Sequence, residues 1–200
     1  MKSIGIVIAT RWEAAGVLKT FGFRKIGKGL YQTPGGDPTV YVCISGVGKE
    51  AARSAAYRLC ALGAGELVSA GFCGALVAEL QVGHLVTERL VTSATPVRTV
   101  KERQALTTRA NAVAVDMETQ AVIEAGTRRG VPIRICRVVS DRMDDDLTPL
   151  FGADAEFNPW RIGLRLLNPA VWPLANRLRK NSAIAQKSLI AGLRTYVTPR

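Results

Sequence analysis

The chain has 200 residues, 48% of them hydrophobic, and a formal net charge of +11. That length suits one compact domain with its own apolar core, and the apolar content excludes a disordered chain. A single histidine and four scattered cysteines exclude a His-rich or Cys-type metal site, and no apolar run is long enough to cross a bilayer.

In chain order, residues 4–9 (IGIVIA) read as a strand buried on both faces, too short for a secretory h-region. Residues 12–21 have helical spacing and stop at Gly22. Residues 40–45 (VYVCIS) predict a second strand, followed by the turn Gly46-Val47-Gly48 and an Ala-rich helix over 49–62 closed by Gly63. Residues 67–70 predict a third strand ending in the turn Gly71-Phe72-Cys73-Gly74, and residues 85–91 a fourth interrupted by Glu88-Arg89. A short strand at 113–115 leads into a helix at 118–129, with Gly130 and Pro132 marking its exit. A strand at 133–139 (IRICRVV) then delivers Ser140-Asp141. Residues 149–173, rich in Pro, Trp, Leu and Arg, predict an irregular excursion before a final helix at 175–196. Strands alternating with glycine turns and helices predict a single α/β domain over residues 1–200, with a mixed, largely parallel central sheet flanked by helices.

Charge is unevenly placed. No acidic residue follows Glu156, whereas Arg161, Arg165, Arg177, Arg179, Lys180, Lys187, Arg194 and Arg200 do. Such a segment suits an anionic membrane surface, an acidic partner or plain solvent, and no nucleic-acid recognition motif accompanies it. Cys43, Cys73 and Cys136 sit in apolar or Gly-rich runs, and all four thiols read as reduced, the expectation for a cytoplasmic protein.

In open α/β sheets, ligands bind beyond the carboxyl ends of the strands. The polar residues there are Glu13, Asp116-Met117-Glu118 and Ser140-Asp141. Partial burial would raise the pKa of such carboxylates and suit them to acid/base work, although an acidic residue opening a helix is more often a cap.

The ordered series IGIVIATRWEAAGVL, SGVGKEAA, GFCGAL, VGHLV, AVAVDMET and a strand ending in SD resembles the nucleoside phosphorylase/nucleosidase superfamily, and within it the methylthioadenosine/S-adenosylhomocysteine nucleosidases. The resemblance covers residues 4–86 and 111–146. It implies that Asp141 is the acid protonating purine N7, with Ser140 orienting it. It implies that Glu118 accepts hydrogen bonds from the ribose hydroxyls, with Met117 packing on the sugar, and that Glu13 activates water. Phe72 and Gly74, on the third strand's turn, fall to substrate binding. An oxocarbenium-like transition state flanked by carboxylates fits these roles.

Superfamily phosphorylases hold phosphate with arginines and a hydroxyl residue near the third strand. The matching positions here are Ser69 and Phe72, which supply no guanidinium, so hydrolysis is expected over phosphorolysis, with Arg11 as a conceivable substitute. The chain departs from the pattern in a shortened middle segment after Val86, in His84 where an aspartate is usual, and in lacking an identifiable stacking aromatic in residues 93–97. The short middle and the Trp/Leu/Arg-rich segment resemble the hopanoid-associated phosphorylases, which implies a purine nucleoside carrying a bulky lipid, adenosylhopane, with peripheral membrane contact through Trp160, Leu164, Leu166, Leu167 and Trp172. A methylthioadenosine-type nucleosidase, a purine nucleoside phosphorylase and a non-catalytic nucleoside-binding protein remain alternatives. No cofactor, metal or nucleic acid is expected, and the resemblance implies a homodimer.

Overall fold

The computed structural model describes residues 2–35, 37–152 and 159–197, the side chains of 159–161 excepted. Strand β1 (Ile4–Ile8) is buried at every position, as a strand with neighbours on both edges and helices on both faces must be. Helix α1 (Arg11–Thr20) follows, then the hairpin β2 (Arg24–Gly27) and β3 (Leu30–Gln32), β4 (Val40–Ile44) and α2 (Lys49–Ala61). The middle of the chain forms β5 (Glu66–Ala75), β6 (Leu85–Val86), β7 (Leu90–Thr92), α3 (Val100–Ala110), β8 (Ala114–Asp116) and α4 (Thr119–Arg128). Strand β9 (Ile133–Asp141) leads through the short helices α5 (Thr148–Phe151) and α6 (Pro159–Arg165) and a 3-10 turn to α7 (Trp172–Val197).

Among the described residues these strands make one mixed sheet in the order β2-β3-β4-β1-β5-β8-β7, with β9 pairing β5 and β6. Its centre is parallel: Ile6 lies between Val42 of β4 and Val68 of β5, and Val68 pairs in turn with Arg134 of β9. Side chains alternate across this centre. Ile6, Ile8, Val68, Ala70 and Val138 pack beneath α1 and α7, while Val7, Cys43 and Leu67 pack against α2 and α4. The result is a helix–sheet–helix sandwich whose loops at one end of the sheet carry the polar residues.

Several expectations are corrected. The third strand does not stop at Gly71: β5 runs on to Ala75, because β9 pairs it in parallel along one edge and β8 takes Gly74 and Ala75 antiparallel on the other. The expected strand over 85–91 splits in two, with Arg89 at a positive φ of 51° between β6 and β7. Helix α3 occupies residues of the shortened middle for which the sequence predicts no element; its signature is the capping box of Thr99 and Glu102. The hairpin of β2 and β3 was missed as well, although Gly29 at φ 62° supplies its turn. The final helix starts at Trp172, not at 175, since Pro173 falls in the first turn, where a missing N–H costs nothing. Residues 149–173 are thus partly helical within the described part; the side chains of Trp160 and Arg161 lie outside it.

Between Cys73 and Gly74 the β5–β9 register shifts: Cys73 pairs with Val139, but Gly74 pairs with Asp141. Ser140 is the extra residue of this bulge, and bulges re-aim side chains beside sites.

Candidate active site

A cavity of about 550 Å³ opens at the carboxyl ends of β1, β5, β8 and β9. Glu13, Glu118 and Asp141 all line it, as do Met117, Ser140, Phe72 and Gly74. The sequence-predicted residues therefore converge, with Glu13, Glu118 and Asp141 delivered by the ends of three different strands. The remaining wall is mostly apolar and includes Val47, Val97, Leu147 and Phe151.

Glu13 is 6% exposed and belongs to a capping box. Its Oε2 accepts the Thr10 amide at 2.8 Å and the Thr10 hydroxyl at 2.7 Å, while Oε1 accepts the Phe72 amide at 2.8 Å. The cap reading and the cavity reading hold together. Gly71, at φ 139°, makes the approach feasible, since a Cβ there would stand 2.6 Å from Glu13 Oε1 and 3.0 Å from Arg137 Nη1.

Arg137, on β9, is the residue that binds the acidic wall together, and it was missed in the sequence because it sits inside an apolar strand run. Its Nε donates to Thr119 Oγ1 at 3.1 Å. Nη1 donates to the Phe72 carbonyl at 3.3 Å and to Glu118 Oε2 at 3.4 Å, Nη2 donates to Ser69 Oγ at 3.0 Å, and Asp116 Oδ2 stands 3.0 Å from Nη2 in an ion pair. Four of the five N–H donors of the guanidinium thus have hydrogen-bond partners, and Asp116 pairs with its charge. Ser69 and Phe72 supply no guanidinium themselves, but both meet that of Arg137, whose charge is paired with Asp116 and Glu118. Burial works against the Arg137 charge, yet Asp116, Glu118 and Glu13 outweigh it and raise its pKa. Asp116 is fixed in turn by Thr92 Oγ1 at 2.7 Å and by the Thr119 amide at 2.9 Å. Glu118 takes the Gly48 amide on Oε1 at 2.8 Å. Burial pushes the Glu118 carboxyl above its ordinary range despite the opposing charge of Arg137.

Asp141 lies outside this cluster's ion pairs and has its own. Its Oδ1 accepts the Ser140 hydroxyl at 2.8 Å, and its Oδ2 accepts Arg103 Nη2 at 2.5 Å. Arg103 comes from α3, is fully buried, and also donates from Nη1 to the Ala75 carbonyl at 3.0 Å. Gly74 leaves the room: a Cβ would lie 2.7 Å from Asp141 Oδ2 and 2.9 Å from Arg103 Nη1. Arg11 does not substitute as an anion ligand here. It is exposed and lines a separate groove with Lys28 and Arg58. Among the described residues there is no cluster of His, Cys, Asp and Glu able to hold a metal.

A family model described as the phosphorylase superfamily matches residues 3–89 and 86–162. The chain belongs to the phosphorylase superfamily. Among solved structures, this superfamily member is similar to a 5′-methylthioadenosine/S-adenosylhomocysteine nucleosidase of Helicobacter pylori crystallised with butyl-thio-DADMe-Immucillin-A, at 19% identity and TM-score 0.72, covering 98% of this chain and 99% of that one. It is similar to the futalosine hydrolase of Helicobacter pylori at 18% identity and TM-score 0.72, covering 97% and 98%. A nucleosidase of Neisseria meningitidis in complex with methylthio-immucillin-A follows at 15% identity and TM-score 0.71, covering 98% and 100%. At these identities the likeness is one of fold. No curated protein matches the chain.

Proposed function

We propose that this phosphorylase-superfamily protein hydrolyses the N-glycosidic bond of a purine nucleoside, with adenine as the base and a large, mostly apolar substituent on the ribose 5′ carbon. The observation that carries the reading is the meeting of Glu13, Glu118 and Asp141, from three separate elements, in one cavity. The nucleosidases and the futalosine hydrolase that share the fold point the same way.

Asp141, oriented by Ser140, gives a proton to purine N7 as the bond from the sugar to N9 breaks, so the base departs neutral. The sugar becomes cationic, and Glu118 holds its hydroxyls while Met117 packs against it. Oxygen of water bonds to the anomeric carbon as Glu13 takes its proton. Glu13 has room for this: Oε2 is filled by two donors, whereas Oε1 accepts only the Phe72 amide and keeps a lone pair. Electrostatically, carboxylates beside a developing cation lower the barrier. Water rather than phosphate is favoured because the charge of Arg137 is already spent on Asp116 and Glu118, and an oxyanion beside it would face carboxylates.

The apolar wall of Val47, Val97, Leu147 and Phe151 supports a bulky substituent, and a polycyclic lipid as in adenosylhopane is the largest candidate. Exposed Leu164, Leu166, Leu167 and Trp172, next to the cations of α7, support contact with an anionic membrane surface. No described helix is long and apolar enough to cross a membrane.

The test is chromatography for free adenine from methylthioadenosine and adenosylhopane, with and without phosphate. Release without phosphate, yielding a free ribosyl product and lost in Asp141→Asn, is expected. Phosphate-dependent release giving a ribose 1-phosphate would replace hydrolysis by phosphorolysis, and tight binding without turnover would replace it by a binding role. Cosedimentation with anionic but not zwitterionic vesicles checks the membrane contact.

A further inference from the structure

Three arginines are buried near the cavity: Arg98, Arg103 and Arg137. The last two spend their charge on Asp141 and on the pair Asp116 and Glu118. Arg98 does not. It is 5% exposed and lines the cavity, its Nε is buried without a hydrogen-bond partner, and its guanidinium enters no ion pair among the described residues. Glu102 is the acidic group whose field reaches it, but that carboxylate is exposed and its Oε2 is taken by the backbone amides of Arg98 and Thr99.

A buried cation without a counter-charge is costly, and an unsatisfied buried polar group in a native fold calls for a reason. Its surroundings supply one. The Val97 carbonyl, next in the chain, accepts Arg103 Nη2 at 3.5 Å, which ties this stretch to the Asp141 side of the cavity. The Arg98 carbonyl accepts the Leu147 amide at 2.9 Å and so fixes the start of α5, whose Phe151 lines the apolar wall. Arg98 thus sits where that wall meets the acid.

We infer that Arg98 is a binding residue for an anionic oxygen, of the carboxylate or phosphate class, carried by the bound nucleoside. This rests on the nucleoside reading. Neither a purine nor a ribose bears an anion, so the charge belongs to the substituent, which then combines an apolar body with an acidic group. A pure hydrocarbon such as hopane lacks that group, and the experiment therefore also separates the candidate substituents.

The probes are a 5′-thioadenosine whose sulfur bears a carboxydecyl chain, its methyl ester, and inorganic phosphate, each titrated calorimetrically into the whole protein and into Arg98→Met and Arg98→Lys. The acid binds the wild type about 10- to 100-fold more tightly than the ester, the worth of one charge-assisted hydrogen bond. Arg98→Met abolishes the difference and Arg98→Lys keeps part of it. Thermal unfolding of Arg98→Met is expected at or above the wild-type temperature, because no ion-pair partner among the described residues is lost; a marked fall would mean a structural role and overturn the proposal. Equal binding of acid and ester, a preference that survives Arg98→Met, or no binding of either would overturn it too. Phosphate binding that depends on Arg98, with no preference for the acid, would assign the cation to a free anion and equally defeat it. Adenine release is measured separately: a lost acid preference with intact turnover sinks the Arg98 site alone, whereas an intact preference without turnover sinks hydrolysis alone.

Discussion

Arg103 of α3 and Asp141 of β9 are joined by a hydrogen bond of 2.5 Å between a fully buried guanidinium and a carboxylate at the cavity wall. Two remote segments are locked by it, and the acid's second oxygen is held by Ser140. Removing one partner of a buried pair strands the other, at about 3–5 kcal/mol. Arg103→Met is therefore expected to lower stability by that order in urea unfolding. It should also slow purine release about 100-fold or more, the usual worth of a positioned acid. A riboside whose leaving group needs no proton, such as the p-nitrophenyl riboside, should lose far less; equal losses on both substrates would mean that Arg103 serves the fold alone.

Glu118 sets a pH limb. Burial raises its carboxyl above the ordinary value of 4.5, against the pull of Arg137. In the proposed mechanism the ionised form accepts from the ribose hydroxyls and faces a cationic sugar, so activity should rise with pH through a value above 4.5. Glu118→Gln should remove that limb along with most of the activity. Stability runs the other way. A folded-state pKa above the unfolded one means that the contribution is fully present below the unfolded value and is lost as pH rises through the folded value. Urea midpoints of wild type and Glu118→Gln should diverge, in favour of the variant, as pH climbs from acid toward neutral.

Gly71 and Gly74 are spacers for carboxylates. A methyl at Gly71 would stand 2.6 Å from Glu13 Oε1, and one at Gly74 would stand 2.7 Å from Asp141 Oδ2. Displacing a catalytic group by an ångström costs about 100-fold. Each alanine variant should lose activity by that order while its far-ultraviolet dichroism stays native; full activity in both would detach these carboxylates from the chemistry.

The long helix α7 is anchored by Leu189 and Leu193, both fully buried against β1, β5 and β9 side chains. Leu189→Ala should cost about 2–5 kcal/mol in unfolding, as large-to-small changes in cores do. Ile184→Ala, at a position 49% exposed, should cost much less.

The strand cores and the acidic residues beyond them were legible because buried strands read as apolar runs and because ordered motifs recur at fixed places along the chain. The cations were not. Arg137 lies within IRICRVV, where alternation gives no hint that a charged residue faces inward, and Arg103 lies in a helix whose apolar pattern is weak and whose only strong signal is the Thr99–Glu102 cap. Buried arginines are chosen by partners brought from elsewhere in the fold: Asp116, Glu118 and Ser69 for one, Asp141 for the other. Local spacing cannot report such pairings. The continuation of β5 through two glycines was hidden for a related reason, since glycine reads as a turn unless the neighbour that needs its space is known.

Consecutive side chains of a regular strand point to opposite faces, yet Ser140 Oγ touches Asp141 Oδ1 and also reaches the Cys73 carbonyl at 3.4 Å. The odd residue in the β5–β9 ladder is what lets these neighbours look the same way. The aim of the acid is consequently a matter of parity rather than of residue type. Deleting position 140 would restore an even count and part the acid from its escort, a harsher loss than the missing hydroxyl of Ser140→Ala. Length changes in this strand are thus forbidden in a way that substitutions are not.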